Sequence, residues 1–514
     1  ALPLMWFGLF ETRELNQGFE DGLGDYQLDK WEWTDKRGDF ESHVARIKDY
    51  IVAGDTYQVN YTSRLRSKFS GDPMAFYRDL TASQSGGYGT FLDTGRFKIA
   101  SASPELFFDR YPLRDGIDKL ITRPMKGTLH RGRWPNEDEV RRHQLATSKK
   151  DQAENLIIVD LLRNDLGRVA EFGTVNVEAL MAVERYDTVW QMTSTISAEI
   201  RSDMSLHQVL QGLFPCGSIT GAPKVRTMQI ISELESESRG AYTGAIGFVS
   251  PPNAAGPRAS FSVGIRTVVI DSESGEAEYG VGGGITFDSD PASEYEEAAL
   301  KAKVLSYGRP DFELLETMRW SHSTGWYWLE EHLDRLEESA NYFGIPIDRR
   351  QVVARLEAAV GDLGESRVRL TIDRSGAVSV KVAVFVEPEE KGVAVAVDAE
   401  PVDTSSPFLF HKTTRRDVYA SRSERHPDAD DVLLVNEAGE LTESTIANVA
   451  VKLDGRWFTP PIESGCLPGV YRQVLIEQGK IEERPIPLAD LAGCEGIALL
   501  NSVRLWRPAF VVDD

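Results

Sequence analysis

Two acidic segments in the first 310 residues place carboxylates at helical spacing. Asp151 and Glu154 fall at i, i+3 in KKDQAENLIIVDLL. Glu294, Glu297 and Lys301 fall at i, i+3, i+7 in SEYEEAALKAK. On a helix each set lies on one face. Two helices that each present a carboxylate pair can supply the oxygen ligands of Mg²⁺, with an anionic substrate completing the shell. The alternative is two solvated acidic faces, which a formal net charge of −23 also allows.

Two further segments could handle an anion or a nucleophile. TRPMKGTLHRG places Lys126 between a proline and a glycine, where a strand passes into a loop. In PCGSITGAPK a glycine-rich turn opens a helix, and free N–H groups at such a helix start can hold an anion. Taken alone, a loop lysine is usually a solvated charge, and a glycine-rich turn is usually a tight turn with a helix cap.

The C-terminal 200 residues carry a second possible constellation. Lys412 lies in FLFHKTTRRDVYA, Glu443 follows about thirty residues later in ELTESTIAN, and a small-residue loop, GCLPGVYR, precedes a helix. As isolated features these indicate a solvated basic patch and a helix cap. Their order and spacing gain significance only through the resemblance of this segment to a known family, described below.

Composition limits the classes of function. At about 100–200 residues per domain, 514 residues give about two to four units. The 57 basic residues against 80 acidic ones argue against a nucleic-acid or anionic-membrane partner. No apolar run approaches the roughly 20 residues that span a bilayer, and the apolar opening ALPLMWFGLF lacks the basic region of a signal peptide. Three distant cysteines form neither a disulfide framework nor a metal cluster. We therefore expect a cytoplasmic protein.

Strand-like and helix-like runs position these residues. β-Rich runs come in clusters rather than in strict βαβ alternation, which predicts an α+β fold with mainly antiparallel sheets. Gly308 and Pro310 in YGRPD end a charged helix before a new run begins. We expect two domains, 1–308 and 309–514. The predicted helices are 38–53, 137–165, 203–213, 222–235, 331–343, 348–360 and 468–478.

Six motifs of the first domain resemble one family. In chain order they are PMKGT, AENLIIVDLLRNDLGRV, GSITGAPK, YTGAIG, SVGIRT and SEYEEAALKAK. They resemble the chorismate-utilising enzymes, which include anthranilate, isochorismate, salicylate and aminodeoxychorismate synthases, over roughly residues 38–305. The resemblance implies two packed α/β subdomains with mainly antiparallel sheets and an active site in their cleft.

The resemblance also assigns roles to residues. It implies Mg²⁺ ligands at Glu154, Glu294 and Glu297, with Asp151 close by. The metal would clamp the ring carboxylate of chorismate and raise the leaving tendency of its C4 hydroxyl. The substrate anion would be bound by side chains or backbone at Thr220, Tyr242, Arg266, Gly282, Gly284 and Lys301.

Lys126 selects among the reactions of that family. Aminodeoxychorismate synthases resemble this chain in carrying lysine there, whereas anthranilate synthases carry alanine. The implied route is attack by Lys126 on ring C2, followed by ammonia at C4. Glu105 in SASPELF resembles the family's acid/base glutamate. Gln58 stands where water-adding members keep a lysine, and Gln191 stands where related enzymes often place histidine.

The second domain resembles the fold-type IV pyridoxal-phosphate enzymes, which include branched-chain and D-amino-acid aminotransferases and 4-amino-4-deoxychorismate lyase. On that resemblance Lys412 bonds to the cofactor and Glu443 pairs with its pyridine nitrogen. The cofactor's phosphate would be bound by Arg335, Gly469, Val470, Tyr471 and Ser502. Where aminotransferases of this group read GVTR or GITR, this chain has Tyr471, so the usual threonine contact is missing.

Together the two resemblances imply a bifunctional enzyme for p-aminobenzoate, a folate precursor. One domain would aminate chorismate to 4-amino-4-deoxychorismate and the other would eliminate pyruvate from it. Three alternatives remain open: an aminotransferase of D- or branched-chain amino acids in the second half, an anthranilate-type synthase in the first, or one half that serves only for docking. No glutaminase motif is visible, so we expect free ammonia or a separate glutamine amidotransferase subunit. Fold-type IV domains commonly dimerise, which implies a homodimer through the C-terminal domain.

Overall fold

A computed structural model describes residues 3–11, 24–82, 87–251, 254–302, 305, 311–361, 363–387 and 391–512. These residues form two compact units. The first comprises the described residues of Ala1–Arg131 and Arg141–Pro310, and the second those of Gly132–Val140 and Asp311–Asp514. The domain boundary predicted at residues 308 and 309 lies outside the described residues. Within the described ranges, every helix is too short or too polar to cross a membrane.

Helices and strands up to residue 302 alternate in clusters, which confirms the predicted α+β class. The helices are α1 (Arg37–Val52), α2 (Pro73–Ala82), α3 (Pro135–Thr147), α4 (Lys149–Gly167), α5 (Leu206–Leu213), α6 (Lys224–Leu234) and α7 (Pro291–Ala302). The strands are β1 (Tyr26–Leu28), β2 (Glu32–Trp33), β3 (Gln58–Gly71), β4 (Tyr88–Asp93), β5 (Phe97–Ser103), β6 (Leu106–Arg114), β7 (Ile117–Arg123), β8 (Met125–His130), β9 (Asn176–Arg185), β10 (Val189–Arg201), β11 (Gly221–Ala222), β12 (Ala245–Val249), β13 (Ala259–Val263), β14 (Thr267–Asp271) and β15 (Glu276–Ile285).

One antiparallel sheet of the first unit has the order β1-β3-β15-β14-β5-β4, with β2 and β11 also paired to β3. Helix α1 packs on it through Phe40, Val44 and Ile47, which recur at helical spacing and are fully buried. Strand β15 pairs with β3 over ten residues, from Glu276 opposite Lys68 to Ile285 opposite Val59. This long pairing fixes the glycine-rich end of β15.

The second sheet of the first unit has the order β12-β13-β6-β7-β10-β8, with β9 paired to β10. Its buried face packs against α4 and α5. The predicted single helix over 137–165 is wrong at its centre, because two helices meet there. The side chain of Ser148 accepts a hydrogen bond from the Asp151 N–H and begins α4 as its N-cap. That start sets the direction in which the first turn of α4 presents its carboxylates.

The second unit also mixes helices and strands. Its helices are α8 (Leu329–Phe343), α9 (Arg349–Val360), α10 (Asp417–Arg425) and α11 (Val470–Glu477). Its strands are β16 (Leu314–Ser321), β17 (Gly325–Trp326), β18 (Ser366–Ile372), β19 (Val378–Val384), β20 (Val393–Asp398), β21 (Asp431–Val435), β22 (Leu441–Ser444), β23 (Asn448–Leu453), β24 (Arg456–Thr459), β25 (Glu482–Glu483), β26 (Gly496–Asn501) and β27 (Leu505–Val511).

The second unit contains a small antiparallel sheet, β17-β16-β18-β19, and an eight-stranded sheet, β22-β21-β20-β27-β26-β23-β24-β25. The larger sheet is mixed, since β20 runs parallel to β21 and β27. In the small sheet Leu314, Met318, Val368 and Leu370 alternate with polar residues and pack on α8 and α9. The opposite face carries Thr317, Arg367 and Arg369, whereas Glu316 lies on the same face as Leu314 and Met318 and pairs with Arg335 of α8.

Residues 132–140 belong to the second unit although the strand before them lies in the first. The ring of Trp134 lies 4.9 Å from that of Phe410. The Tyr342 hydroxyl donates a hydrogen bond of 2.8 Å to the Gly132 carbonyl, and Arg133 donates one of 3.1 Å to the Thr404 carbonyl. This short segment is thus a packed part of the C-terminal unit.

Candidate active sites

Strand β8 carries Lys126 and is held from two sides. The Gln191 side chain of β10 donates to the Gly127 carbonyl and accepts from the Thr128 hydroxyl, both at 2.8 Å. The Asn155 amide of α4 donates to the Lys126 carbonyl at 3.4 Å. The Gln191 amide therefore positions the strand of Lys126. Glutamine thus has a structural role here, at a position where related enzymes often place histidine.

The Lys126 amine faces the carboxylate of Glu154. Nζ lies 3.7 Å from Glu154 Oε2, and both side chains are largely shielded from solvent. Asp151, one turn earlier on α4, lies beside Gly127, where an added Cβ would come 3.0 Å from the Asp151 Cβ. Gly127 has φ +95°, which favours glycine. The first turns of α4 thus bring both predicted acidic residues to the lysine strand.

Helix α7 brings two more carboxylates toward the same lysine. Glu297 pairs with Lys301 at 2.8 Å, and the Ser289 hydroxyl donates to Glu294 at 2.6 Å. Burial raises the pKa of Glu294, whereas the charge of Lys301 lowers the pKa of Glu297. The charge of Lys126 acts to lower the pKa of both carboxyls. Two helices distant in sequence therefore converge on one amine.

The carboxylates of Glu154, Glu294 and Glu297 have the donor chemistry that Mg²⁺ prefers, since all their ligating atoms are oxygens. Within the described ranges, no three acidic, histidine or cysteine side chains are close enough to hold a metal ion as they stand. Instead, Glu154 faces Lys126 and Glu297 is paired with Lys301. The residues fit a magnesium site by chemistry, and the two lysines offset their charge in this structure.

Glu105 lies in the short connection between β5 and β6 and is 4% exposed. The Ser218 hydroxyl donates a hydrogen bond of 2.6 Å to its Oε1, and Cys216 Sγ lies 3.2 Å from the same hydroxyl. Burial raises the pKa of Glu105 to about 7, against the opposing effects of the Ser218 bond and the Lys126 charge. A carboxyl that titrates near neutrality can both donate and accept a proton.

The glycine-rich end of β15 packs closely against this group of residues. An added Cβ at Gly284 would lie 2.4 Å from Lys126 Nζ and 2.2 Å from Gln58 Nε2. At Gly283 it would lie 3.2 Å from Glu294 Oε2. Gly282 differs, since its Cβ would collide with the backbone of β3, while its carbonyl accepts from Lys301 at 3.0 Å. The sequence does not single out Gly283, because a run of three adjacent glycines does not reveal which of them lies beside Glu294.

Of the other predicted substrate contacts, Tyr242 and Thr220 are buried and Arg266 is partly buried. Tyr242 packs its ring against Gly280, and the Arg64 guanidinium lies 5.2 Å from that ring. Arg266 has φ +50°, and burial lowers its pKa. Thr220 donates its hydroxyl to carbonyls of its own loop at 3.1 and 3.2 Å. These residues remain predicted substrate contacts, and Arg64 is an additional cation that no sequence motif indicated.

In the second unit, a cavity of about 320 Å³ brings together all seven residues predicted for a cofactor. They are Arg335, Lys412, Glu443, Gly469, Val470, Tyr471 and Ser502. The Lys412 carbonyl accepts from the Leu315 N–H at 2.9 Å, which fixes the lysine backbone on β16. Burial and the nearby charge of Arg335 lower the pKa of the Lys412 amine to about 8. Such an amine is a better nucleophile and base near neutrality than an exposed lysine.

Glu443 lies at the end of β22 and is held by three donors. The Tyr419 hydroxyl donates to it at 2.7 Å, the Leu467 N–H at 3.1 Å and the Asn448 amide at 3.4 Å. Burial raises the pKa of Glu443 to about 7. The carboxyl therefore exchanges its proton in the physiological range, which suits a partner for a ring nitrogen.

Arg335 of α8 connects three parts of the cavity wall. It donates to both carboxylate oxygens of Glu316, at 2.9 and 2.6 Å, and to the Pro468 carbonyl at 3.0 Å. Burial alone would raise the pKa of Glu316, but the charge of Arg335 and the contact with His332 lower it to about 2. Sequence motifs do not indicate that Glu316 and His332 support Arg335. Their contact joins a strand to a helix, and spacing along the chain does not reveal such contacts.

The cavity has the features that a pyridoxal phosphate site requires. Gly469 is the N-cap of α11, so N–H groups at Val470 and beyond are available to an anion. His332 Nε2 is buried without a hydrogen-bond partner in the described part of the chain. The Tyr471 ring packs 5.2 Å from that of Trp328, and so contributes packing in place of a threonine hydroxyl. With Lys412 and Glu443 at the cavity wall, the residues fit this cofactor.

Comparison with known proteins finds relatives of the first unit. The chain is 45% identical over 257 residues to aminodeoxychorismate synthase of Streptomyces griseus, which covers 50% of this chain and 34% of that protein. It is 39% identical over 275 residues to anthranilate synthase component 1 of Aquifex aeolicus, which covers 54% and 53%. The crystal structure of anthranilate synthase component I from Streptococcus pneumoniae matches with 33% identity and a TM-score of 0.48, covering 55% of this chain and 60% of that one.

The chain spans about half or less of the length of these two curated relatives. The model of the chorismate binding enzyme family matches residues 13–307, more than half of the chain. The model of the class IV aminotransferases matches residues 313–510. The chain therefore belongs to the chorismate-binding enzyme family and carries a class IV aminotransferase domain fused after it.

Proposed function

We propose that the first unit aminates chorismate at C4 to give 4-amino-4-deoxychorismate, and that the second unit eliminates pyruvate from this product to give p-aminobenzoate. The observation that carries the proposal is the position of Lys126. Its amine faces Glu154, interacts electrostatically with Glu294 and Glu297, and lies directly against Gly284. A nucleophilic amine surrounded by carboxylates that can bind Mg²⁺ suits substitution on a ring that carries a carboxylate.

The residues of the first unit can perform a balanced two-step substitution. The Lys126 amine forms a bond to ring C2 while the C4–O bond breaks, and Glu105 protonates the departing hydroxyl so that it leaves as water. Ammonia then bonds to C4, the C2–Lys126 bond breaks, and the double bonds return to their original positions. Mg²⁺, held by Glu154, Glu294 and Glu297, would supply a Lewis acid for the ring carboxylate and the leaving oxygen.

The second unit offers a proton-transfer site for the next step. Pyridoxal phosphate, when bound, supplies an electron sink next to Lys412. The Lys412 amine, with a pKa of about 8, removes the proton from C4 of the substrate and returns a proton to the departing enolpyruvate. Glu443 would pair with the pyridine nitrogen and keep it protonated, and loss of pyruvate leaves an aromatic ring. The fold alone does not fix this reaction, so the proposal depends on the fusion with a unit that makes the substrate.

The partners follow from the same chemistry. Chorismate and ammonia are the proposed substrates, and a separate glutamine amidotransferase subunit is the proposed ammonia source. We also propose a homodimer formed through the C-terminal domain and a cytoplasmic location, with the net charge of −23 opposing any nucleic-acid or anionic-membrane partner.

The decisive experiment supplies the purified chain with chorismate, ammonium, Mg²⁺ and pyridoxal phosphate, and follows products by mass and absorbance. We expect p-aminobenzoate and pyruvate in equal amounts. With Lys412→Ala, 4-amino-4-deoxychorismate should accumulate instead. Formation of anthranilate by the unaltered chain would overturn the assignment of the first unit.

The match to the class IV aminotransferases supports a second candidate for the C-terminal unit. It would transfer an amino group from a D- or branched-chain amino acid to 2-oxoglutarate. Incubating the full chain with these pairs, and separately with 4-amino-4-deoxychorismate, distinguishes the two reactions. Glutamate formation without pyruvate release would favour the aminotransferase.

A further inference from the structure

Strand β18 presents two arginines to the cavity of the second unit. Arg367 and Arg369 are two residues apart, so their side chains lie on the same face of the small sheet. Both line the cavity, together with Thr317, which lies opposite Arg369 on β16. The other face of β18 is buried in the core through Val368 and Leu370. The fold therefore directs these two guanidinium groups away from the core and toward the cavity.

Neither arginine has a carboxylate partner in the part of the chain that the structure describes. The contrast is with Arg319, opposite Arg367 on β16, which pairs with Glu365 and Glu387 at 3.1 Å each. Acidic residues outnumber basic ones by 80 to 57 in this chain, so carboxylates are not scarce. Both arginines are exposed, so their two neighbouring guanidinium groups on the cavity wall are free to bind an anionic ligand.

The other charged side chains that line the cavity do not neutralise Arg367 and Arg369. Its carboxylate, Glu443, is engaged by Tyr419 and the Leu467 N–H. Arg335 is engaged by Glu316 and the Pro468 carbonyl, next to the start of α11 where the phosphate is expected. The other basic residues that line the cavity are His332, His411, Lys412, Arg415, Arg416 and Arg504. The β18 arginines thus form a cationic wall on an element different from the one that holds the phosphate end.

We infer that Arg367 and Arg369 are specificity-determining residues that bind the two carboxylates of a dianionic substrate. The inference rests on the proposed function, because 4-amino-4-deoxychorismate carries one ring carboxylate and one enolpyruvyl carboxylate. A guanidinium group binds a carboxylate through two parallel hydrogen bonds, which fixes orientation as well as charge. Two such groups on one strand face favour a substrate with two carboxylates over an amino acid with one.

The test uses the full chain loaded with pyridoxal phosphate and three variants: Arg367→Gln, Arg369→Gln and the double exchange. Lys381→Gln is the matched control, because Lys381 lies opposite Arg369 on β19, on the same sheet face, but does not line the cavity. Calorimetry measures the binding of glutarate, a dianion, and of butyrate, a monoanion of similar length. A coupled assay measures pyruvate release from 4-amino-4-deoxychorismate.

We expect the unaltered chain and Lys381→Gln to bind glutarate at least about tenfold more tightly than butyrate, and the double variant to lose this preference. Each single exchange should lower kcat/KM for pyruvate release by about tenfold to a hundredfold, while visible cofactor absorbance stays unchanged. A double variant that keeps the glutarate preference, or releases pyruvate at the parental rate, overturns the inference. If the unaltered chain releases no pyruvate, the proposed function fails, and the glutarate preference with its loss in the double variant still decides the role of the arginines.

Discussion

The Ser218 hydroxyl donates a hydrogen bond of 2.6 Å to the buried carboxyl of Glu105. This bond stabilises the ionised form and so opposes burial, which raises the pKa of Glu105 to about 7. In Ser218→Ala the pKa should rise further. We therefore expect the limb of the pH–rate profile that reports Glu105 to move to higher pH, measured as chorismate consumption. Ser218→Thr keeps a hydroxyl and should keep the parental profile; an unshifted limb in Ser218→Ala would show that Glu105 does not govern it.

The same carboxyl predicts a pH dependence of stability. Its pKa is raised from 4.5 to about 7 in the folded state. The carboxyl therefore lowers the free energy of unfolding progressively as pH rises from about 4.5 to 7. Glu105→Gln removes this destabilisation and keeps the shape. We expect the variant to gain stability over the parent as pH rises, by at most about 3 kcal/mol above pH 7. Denaturant unfolding at acidic and at mildly alkaline pH measures the difference; a pH-independent difference would contradict the burial effect.

Replacing Lys126 by alanine should change the product as well as the rate. The variant loses the nucleophile but keeps Glu154, Glu294 and Glu297, so chorismate should still bind. Ammonia then gains access to C2. We expect at least about a hundredfold less 4-amino-4-deoxychorismate and some ortho-aminated product, identified by chromatography and mass. Lys149→Ala on the exposed side of α4 is the control. An unchanged rate in Lys126→Ala would make Lys126 only an electrostatic neighbour.

Metal removal should separate the two activities. If Glu154, Glu294 and Glu297 hold Mg²⁺, EDTA should abolish chorismate consumption and added Mg²⁺ should restore it. The visible absorbance of the cofactor in the second unit should not change, since no carboxylate of the first site takes part there. Simultaneous loss of absorbance and chorismate consumption would indicate a structural metal instead.

Capture of the cofactor should follow the titration of Lys412. The neutral amine is the reactive form, and burial lowers the pKa of Lys412 to about 8. We expect the rate at which the apoprotein takes up pyridoxal phosphate, followed by visible absorbance, to rise with pH to a midpoint near 8. Lys412→Ala should show no such absorbance. A midpoint near the 10.5 of a solvated lysine would mean that the amine is not desolvated.

How far the sequence predicts these sites depends on how local their contacts are. The turn at Gly469 and the carboxylates of α4 follow from spacing along one segment: Gly469 is the N-cap of α11, and Asp151 and Glu154 lie in the first turns of α4. The bond between Gln191 and Gly127 joins residues 64 apart, and the pair of His332 with Glu316 joins a helix to a strand. Contacts of this kind depend on strand register, which composition and periodicity do not give. The helix start at Ser148 is different, because it is local. The motif S-x-x-D there is typical of a helix start, and the prediction of one continuous helix over 137–165 does not use it.

The place of residues 132–140 in the second unit also governs how the chain folds as it leaves the ribosome. Chains generally fold domain by domain from the N-terminus. Here Gly132 is synthesised 210 residues before Tyr342, the residue that binds its carbonyl, and Trp134 emerges long before Phe410. Until then Gly132 and Trp134 lack these two contacts, although the strand that carries Lys126 ends directly before the segment. The C-terminal unit therefore completes its packing around this segment only once translation has passed Tyr342 and Phe410.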